Sequence, residues 1–211
     1  MYTYQSFIKE IFNSLKCMHR YDLLRCIPIY GDDGMLVAYL RPVTQDYRIS
    51  LPGCLEQLAN WRNENPSLSV QQFAATAAST QVWLDNLIIG REDRILFFIV
   101  MPGGRRIGHI GYSCFNYEKA SCELDAVLRG DKDALPGIMT YALRALIRFG
   151  LETLGLREIE LRVFSDNIHA IEYYLRNAFF IMQENLLGTE GSKRYTRMRL
   201  NIDAWKAQNP V

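Results

Sequence analysis

The chain has 211 residues, of which 49% are hydrophobic and 22% are charged, and its formal net charge is +1. This length and composition indicate a globular protein with a sizeable buried core, built as one domain with an appendage. The near-balance of charge argues against general nucleic-acid binding, which usually shows as a strong basic excess.

The first part of the chain predicts a helix, a hairpin and two further helices. Apolar residues recur at helical spacing in residues 6–18. Two β-rich runs follow in residues 25–43 around the turn Gly31–Gly34, which indicates a hairpin. Residues 53–65 and 69–88 then predict two helices, with a break at Pro66.

From residue 94 onward, strands are predicted to alternate with helices. The predicted elements are, in chain order, strands at 94–102, 105–116 and 119–129, a helix at 137–155, a strand at 157–166, a helix at 168–178, and strands at 179–187 and 193–202. The last two strands are separated by a loop around Gly188 and Gly191.

This order of elements predicts the fold class. Hairpins that pass into a strand–helix–strand crossover are typical of an α/β (α+β) domain with a mixed, largely antiparallel central sheet flanked by helices. We assign residues 36–211 to this domain and residues 1–35 to an N-terminal extension of one helix and a hairpin.

The junction "LRGDKDALPGIM" (128–139) lies between a predicted strand and a strongly periodic helix. The free N–H groups and partial positive charge of a helix N-terminus can hold a phosphate or pyrophosphate, and Pro136 suits the first helical position. Gly and Pro are equally natural in an ordinary loop, so both interpretations stay open. The absence of a GKS or GKT sequence excludes a P-loop.

Two carboxylates and two tyrosines are candidates for acid–base chemistry. Glu123 and Asp125 are two apart on a strand and point the same way, opposite to Leu124 and Ala126, so they are either a general base or part of a solvated face. Tyr174 shares the apolar stripe of its helix while Tyr173 turns about 100° away. The Tyr174 phenol is either a core group or a proton donor.

The cysteines, the histidines and the longest apolar run argue against disulfide bonds, a metal site and a membrane span. Five cysteines without a CxxC pair indicate a reducing cytoplasm, and three histidines without HxxxH or HExxH spacing make a metal site unexpected. His109 and His169 are interpreted as structural or surface residues. The longest apolar run, residues 95–101, is too short to cross a bilayer.

Taken together, the element order over about residues 36–200 and the motifs over about 120–180 resemble the GNAT superfamily of acyl-CoA-dependent N-acyltransferases. In that family a valine-containing strand end leads into a glycine-rich loop and a long helix, as in "LDAVLRG…LPGIM" here. A later N-x-x-A-x-x-[LF]-Y-x-x-x-G-F pattern is matched by Asn167, Ala170, Tyr173, Tyr174 and Ala178-Phe179. Two departures are the alanine in place of the family's glycine and a longer polar insert in the loop.

The resemblance implies roles for individual residues. Tyr174 would lie near the sulfur of coenzyme A and protonate the departing thiolate, and Glu123 would be the general base, with Asp125 as the alternative. The backbone N–H of Val127 would stabilise charge on the thioester carbonyl. The other implied cofactor-binding residues are Arg129, Gly130, Gly137, Ile138, Met139 and Asn167.

The implied function is transfer of an acetyl group from acetyl-CoA to the primary amine of a small molecule, without a metal. A nucleotide-linked amino sugar is the leading candidate for the acceptor. The acceptor site would be shaped by the first two helices of the domain, where Trp61, Arg62 and Trp83 lie. The alternatives are an aminoglycoside acceptor, a protein N-terminal acetyltransferase, a non-catalytic acyl-CoA-binding regulatory module and an interaction domain without cofactor, because a fold does not fix a function. The expected partner is the amine, with no nucleic acid and no membrane; whether the chain forms a homodimer is left open.

Overall fold

Eight strands form one sheet in the computed structural model, which describes residues 3–17, 25–66, 74–188 and 193–210. The strands lie in the order β1-β2-β3-β4-β5-β6-β8-β7, and every neighbouring pair is antiparallel except β5 and β6. Their bounds are β1 Ile27–Tyr30, β2 Leu36–Pro42, β3 Ile95–Val100, β4 Arg106–Asn116, β5 Ser121–Arg129, β6 Glu158–Phe164, β7 Phe179–Leu187 and β8 Arg194–Leu200. The predicted mixed, largely antiparallel sheet flanked by helices is confirmed.

Helices cover both faces of this sheet. In the described part of the chain the α-helices are α1 Tyr4–Lys16, α2 Tyr47–Ser50, α3 Cys54–Glu64, α4 Ala77–Trp83, α5 Ile138–Arg148, α6 Ile168–Arg176 and α7 Ile202–Gln208. Two π-helical segments, Leu84–Ile89 and Phe149–Thr153, continue α4 and α5. Residues 69–73 of the second predicted helix, residue 18 of the first and the loop residue Gly191 lie outside the described residues.

Strand β3 shows how the two faces are formed. All six of its residues are buried, and they alternate: Ile95, Phe97 and Ile99 pack into one apolar cluster while Leu96, Phe98 and Val100 pack into another. A central strand with a helix layer on each side reads as a continuous apolar run, which is why "ILFFIV" has no polar position. We call the side of the first cluster, which contains residues of α1, α5, α6 and α7, the first face; the side with α2, α3 and the π segment after α4 is the second face.

The residues assigned to the N-terminal extension share the sheet and the core of the rest of the chain. β1 pairs with β2 in register from Ile27 with Leu40, and Ile8 and Phe12 of α1 are fully buried in the first cluster. The ammonium group of Lys16 donates to the carbonyl of Ile88 at 2.8 Å, which ties α1 to the second face. The division at residue 35 stays a prediction.

Helix α7 is missing from the sequence prediction. It begins where the Asn201 side chain accepts a hydrogen bond from the N–H of Ala204 at 3.0 Å, and it places Trp205 in the first cluster. A helix of seven residues is too short to show a clear apolar periodicity, although the asparagine at its N-cap is a typical start signal.

Candidate active site

Strands β5 and β6 separate shortly after they meet. Their parallel register covers only Ser121–Glu123 against Glu158–Glu160, although β5 continues to Arg129 and β6 to Phe164. Beyond Glu123 the two strands are held by their outer neighbours, β4 and β8. A wedge therefore opens in the middle of the sheet, and its inner backbone N–H and C=O groups face each other without a ladder.

A bulge in β5 lies inside this wedge. Leu128 pairs with His109 and Asp125 with Gly111, so that Ala126 and Val127 together oppose one residue of β4, and Ala126 has a positive φ of 51°. The predicted alternation is wrong at Ala126: it packs in the second-face cluster with Leu128, whereas Val127 packs in the first. The extra residue of a bulge reverses the alternation beyond it, and the bulge removes Ala126 and Val127 from the β4–β5 register.

The imidazole of His109 supports the bulge from β4. Its Nδ1 lies 2.6 Å from the carbonyl oxygen of Ala126, and its ring lies 6.2 Å from that of Trp61. Burial lowers the pKa of His109 to about 4, against the opposing effects of the Ala126 carbonyl and the Asp125 charge. The ring is therefore neutral at physiological pH, and Nδ1–H donates to the carbonyl. His109 is a buried structural residue.

Glu123 and Asp125 lie at the mouth of the wedge on the second face. The Nε of Arg162 donates to Oε2 of Glu123 at 3.0 Å, and Nη2 lies 2.9 Å from the same oxygen. Both contacts use Oε2, which leaves Oε1 to accept a proton. Asp125 accepts from the N–H of Ala126 at 2.7 Å and faces the guanidinium of Arg94 at 3.6 Å. Both carboxylates are accessible, so either geometry suits a base.

The two tyrosines of α6 differ in their hydroxyl contacts. The Tyr173 hydroxyl donates to the carbonyl of Met139 at 2.9 Å and so fixes α6 to the first turn of α5. The Tyr174 ring is 8% exposed and packs against Tyr173 and Phe179, but its hydroxyl has no hydrogen-bond partner among the described residues. Burial raises the pKa of Tyr174, with smaller contributions from Tyr173 and Asp125. Tyr174 is thus close to the bulged segment and holds a free, protonated hydroxyl.

The loop after β5 leaves two N–H groups available at the start of α5. Gly137 caps the helix in a left-handed conformation with φ of 80°, and among the described residues the N–H groups of Gly137 and Met139 have no backbone acceptor. The N–H of Ile138 lies 3.2 Å from the carbonyl of Leu135. Free N–H groups at a helix N-terminus suit an anion such as a diphosphate.

Two other predicted cofactor residues have structural partners. The N–H of Gly130 donates to the carbonyl of Ile107 at 3.0 Å, so it is not available to a phosphate in this conformation. The Arg129 guanidinium donates to three carbonyls of the loop itself, with distances of 2.7 Å to Lys132 and 2.9 Å to Ala134. Arg129 therefore shapes the loop and keeps its positive charge beside it.

Asn167 caps α6. Its side-chain oxygen accepts from the N–H of Ala170 at 3.1 Å, which leaves its amide NH₂ as the group that could reach a ligand. Of the aromatic residues expected near the acceptor, Trp61 is buried against Gly130, Phe98 and His109, so it is a packing residue. An open groove of about 760 Å³ lies between α3 and the loop at Gly130, with Glu56, Arg105 and Lys132 among its lining residues.

Sequence reasoning missed the arginines around Glu123. Arg162 of β6 and Arg197 of β8 lie on the second face, and Arg162 is the partner of the candidate base. The alternation in "EIELRVF" indicates that Glu158, Glu160 and Arg162 share a face, but the partner strand could not be identified from the sequence.

The described residues lack two features, a metal-binding cluster and a membrane-spanning helix. They contain no group of three or more His, Cys, Asp or Glu side chains placed to bind a metal ion. Their helices also include none with the length and apolar character needed to span a membrane.

Comparisons with known proteins agree with this geometry. Residues 39–179 match the family described as "Acetyltransferase (GNAT) domain". A probable GNAT-family acetyltransferase from Chromobacterium violaceum has 17% identity and a TM-score of 0.67, with 85% of this chain and 93% of that chain covered. FdhC, described as a nucleotide-linked sugar GNAT and solved in the apo form, has 16% identity, a TM-score of 0.64 and coverages of 86% and 93%.

A more distant likeness involves a different acceptor. The spermidine N-acetyltransferase from Vibrio cholerae, solved with CoA and spermine, has 17% identity and a TM-score of 0.58, with 71% of this chain and 90% of that chain covered. At these identities the structural likeness shows the fold alone. A comparison with curated protein sequences finds no match.

Proposed function

Because the chain belongs to the GNAT acetyltransferase family, we propose that it transfers an acetyl group from acetyl-CoA to the primary amine of a small molecule by direct attack. The observation that carries this proposal is the wedge between β5 and β6, which joins the two faces of the sheet. The free Tyr174 hydroxyl belongs to the first face, and Glu123 points to the second. An acid and a base are thus available on opposite sides of one opening.

The residues of this chain fit a coenzyme A thioester in two respects. The N–H groups of Gly137 and Met139 suit its diphosphate, and the unpaired strand edges of the wedge suit the amides of its pantetheine arm. Asn167 and Arg129 lie on the flanking elements, where an amide NH₂ and a positive charge would add to the binding. When bound, acetyl-CoA supplies the activated acetyl group.

The protein groups then have separate roles. Oε1 of Glu123 takes the proton of the substrate ammonium, directly or through water, with Asp125 as the alternative base. The N–H of Val127, which the bulge frees from the β4 register, stabilises the negative charge that develops on the carbonyl oxygen. The Tyr174 hydroxyl gives its proton to the departing sulfur. Positioning and charge stabilisation supply most of the rate gain, with about 10²–10⁴-fold from acid–base catalysis.

The proposed acceptor is an amine on a small molecule, with a nucleotide-linked amino sugar as the leading candidate. The likeness to FdhC supports this choice, since that protein is described as a nucleotide-linked sugar GNAT. The spermidine acetyltransferases represent the competing class, a polycationic amine.

Two measurements test the proposal in order. Thermal unfolding is followed with and without acetyl-CoA, because a ligand at a hundredfold excess over its Kd stabilises the native state by roughly 2.7 kcal/mol. Release of the coenzyme A thiol is then measured with a panel of primary amines. A thermal shift without thiol release would favour a binding module, and thiol release only with N-terminal peptides would favour a protein N-terminal acetyltransferase. The absence of any shift would contradict the proposed cofactor.

A further inference from the structure

A ladder of opposite charges covers the second face at β5, β6 and β8. Ile159 and Leu161 of β6 point into the first cluster, so Glu160 and Arg162 point the other way. On β8, Met198 and Leu200 likewise point into the core, which places Arg197 and Arg199 on the second face. α3 and the π segment after α4 pack over β3 and the bulge of β5.

Two arginines of this ladder stand directly opposite each other. Arg162 and Arg197 are register partners on neighbouring antiparallel strands, and both side chains are on the second face. Like charges in this arrangement destabilise a sheet. Each guanidinium turns toward a different carboxylate: Arg162 toward Glu123, and Arg197 toward Glu160, where its Nε lies 2.9 Å from Oε2. The two guanidinium groups are thus paired with different carboxylates on the same face of the sheet.

The carboxylate of Glu160 has little capacity left to accept hydrogen bonds. The two oxygens of Glu160 accept four bonds, two from Arg197 and two from Arg199, at distances of 2.5 to 2.9 Å. A carboxylate has about four acceptor sites, so Glu160 is saturated. A guanidinium has five N–H groups, and the Nη1 groups of Arg162 and Arg197 donate to no described residue.

In the pairs Arg162–Glu123 and Arg197–Glu160, the arginine is more exposed to solvent than the glutamate. The side chains of Arg162 and Arg197 are 54% and 44% exposed, whereas those of Glu123 and Glu160 are 26% and 11% exposed. A ligand that approaches these two pairs therefore meets guanidinium N–H groups that extend further into solvent than the carboxylates of Glu123 and Glu160. The outer groups are therefore cationic with free donors at Arg162 and Arg197, whereas beside Arg199 and Arg94 the carboxylates of Glu158 and Asp125 are the more exposed partners, at 37% and 44%.

We propose that Arg162 and Arg197 bind an anionic group, phosphoryl or carboxylate, on the acceptor amine, and so select against polyamines. The fork of a guanidinium matches both anions, and an anion between the two would relieve their repulsion. The contact between Arg162 and Glu123 places this site beside the candidate base. The neighbouring register pair on the same face, Phe164 and Tyr195, packs ring against ring with centroids 4.9 Å apart, and Phe164 is buried. This inference rests on the proposed function.

The test uses the full chain saturated with coenzyme A, so that the cofactor's own anion site is occupied. Inorganic pyrophosphate, UDP, malonate and spermidine are titrated separately by calorimetry. We expect an anion to bind one-to-one and spermidine to bind at least about tenfold more weakly, because the two guanidinium groups attract an anion and repel a polycation. Binding of pyrophosphate and UDP would indicate a phosphoryl ligand, and binding of malonate would indicate a carboxylate ligand. A higher affinity for UDP than for pyrophosphate would indicate an additional contact with the nucleoside.

The variant Arg197→Gln tests the residue assignment. It should weaken anion binding by about 10- to 100-fold, because hydrogen bonds to a charged group are lost. Arg25→Gln is the matched control, since Arg25 precedes β1 at the far edge of the sheet and donates to Ser14. If Arg197→Gln does not fold, Arg197→Lys keeps the charge next to Glu160 and should still lose several-fold affinity with the planar fork.

Three outcomes would overturn the inference: no anion binds to the coenzyme A complex, spermidine binds more tightly than every anion, or the Arg197 variants bind as the native chain does. Failure of the proposed function is a separate result, because it appears as an absent thermal shift with acetyl-CoA before any anion is added. The difference in UDP affinity between the native chain and Arg197→Gln, both without coenzyme A, would then still report on the arginine pair.

Discussion

The adjacent tyrosines of α6 occupy similar surroundings but have different chemical freedom. Burial raises the pKa of both phenols, so both keep their protons through neutral and mildly alkaline pH. The Tyr173 hydroxyl is bound to the Met139 carbonyl, whereas the Tyr174 hydroxyl has no partner among the described residues. A proton donor must be protonated at the working pH and free to approach its acceptor, and Tyr174 meets both conditions.

Replacing Tyr174 with Phe should therefore lower turnover without loss of stability. The substitution removes a hydroxyl that bonds to no described residue, so the free energy of unfolding in urea should change by less than about 0.5 kcal/mol. We expect kcat to fall by about 10²-fold, at the lower end of the range for acid–base catalysis, with little change in the KM for acetyl-CoA. The measurements are steady-state thiol release and urea unfolding.

Tyr173→Phe is the matched control, one residue away. It should reverse the pattern, because it removes the bond to Met139: the free energy of unfolding should fall by about 1 kcal/mol and kcat should change by less than about threefold. Equal losses of kcat in the two variants, or full turnover in Tyr174→Phe, would remove Tyr174 from the mechanism.

At the scale of elements, the end of β5 and helix α3 meet without space to spare. Gly130 is buried under the indole of Trp61, and a Cβ atom added at Gly130 would lie 2.1 Å from two indole carbons. Gly130 has no positive φ, so the requirement for glycine is one of space rather than of backbone conformation. The loop that opens α5 is therefore positioned by α3, an element distant in sequence.

Gly130→Ala should destabilise the protein by about 1–3 kcal/mol, the usual result of overpacking, and should weaken acetyl-CoA binding by displacing the loop. The checks are urea unfolding and calorimetric titration with acetyl-CoA. In a Trp61→Leu background the added methyl group has room, so the cost of Gly130→Ala should fall by at least about 1 kcal/mol in a double-mutant cycle. A cost that is the same in both backgrounds would show that the contact with Trp61 is not the cause.

Most strands and the long helix could be predicted from periodicity, because each presents a regular apolar face to one core. The bulge at Ala126 could not, since Ala126, Val127 and Leu128 are all apolar and their sequence does not show where the alternation reverses. The candidate residues Glu123 and Tyr174 followed from a family resemblance, and their surroundings needed the structure. Arg197 in particular joins the site only through strand pairing across residues 162 and 197.

For the whole molecule, the first 35 residues are expected to be indispensable for folding. Ile8, Phe12 and Ile29 are fully buried in the first cluster, and burial of each such side chain contributes about 1.5–3 kcal/mol. Their sum is comparable with the total stability of a typical domain, about 5–15 kcal/mol. A chain of residues 36–211 should therefore lack a cooperative thermal transition, measured by circular dichroism.

Substitutions within α1 provide a control for this deletion. Phe12→Ala should lower the free energy of unfolding by about 3–5 kcal/mol. Its exposed neighbour, Asn13→Ala, should change it by less than about 0.5 kcal/mol. A truncated chain that unfolds at the temperature of the full chain would instead establish residues 1–35 as a separable extension.

The stability of the whole molecule should also depend on pH through His109. The pKa of His109 is lowered to about 4 in the native state by burial, against about 6.5 in the unfolded chain, so the unfolded state binds the proton more tightly. Stability is therefore complete above about pH 6.5 and is lost as the pH falls toward 4, by an amount that approaches about 3 kcal/mol. Carboxylates titrate mainly below about pH 4.5, so urea unfolding between pH 7 and 4.5 isolates the histidine.

The slope of stability against pH identifies the residue even if a substitution changes stability itself. His109→Asn keeps a side-chain N–H that can reach the Ala126 carbonyl but cannot titrate, so its unfolding free energy should be nearly flat from pH 7 to 4.5. His169→Asn, at an exposed position of α6, is the matched control and should keep the native slope. If His109→Asn retains the native slope of stability against pH, another group is responsible. The assignment of His109 as a neutral ring, protonated at Nδ1 and supporting the bulge, would then be wrong.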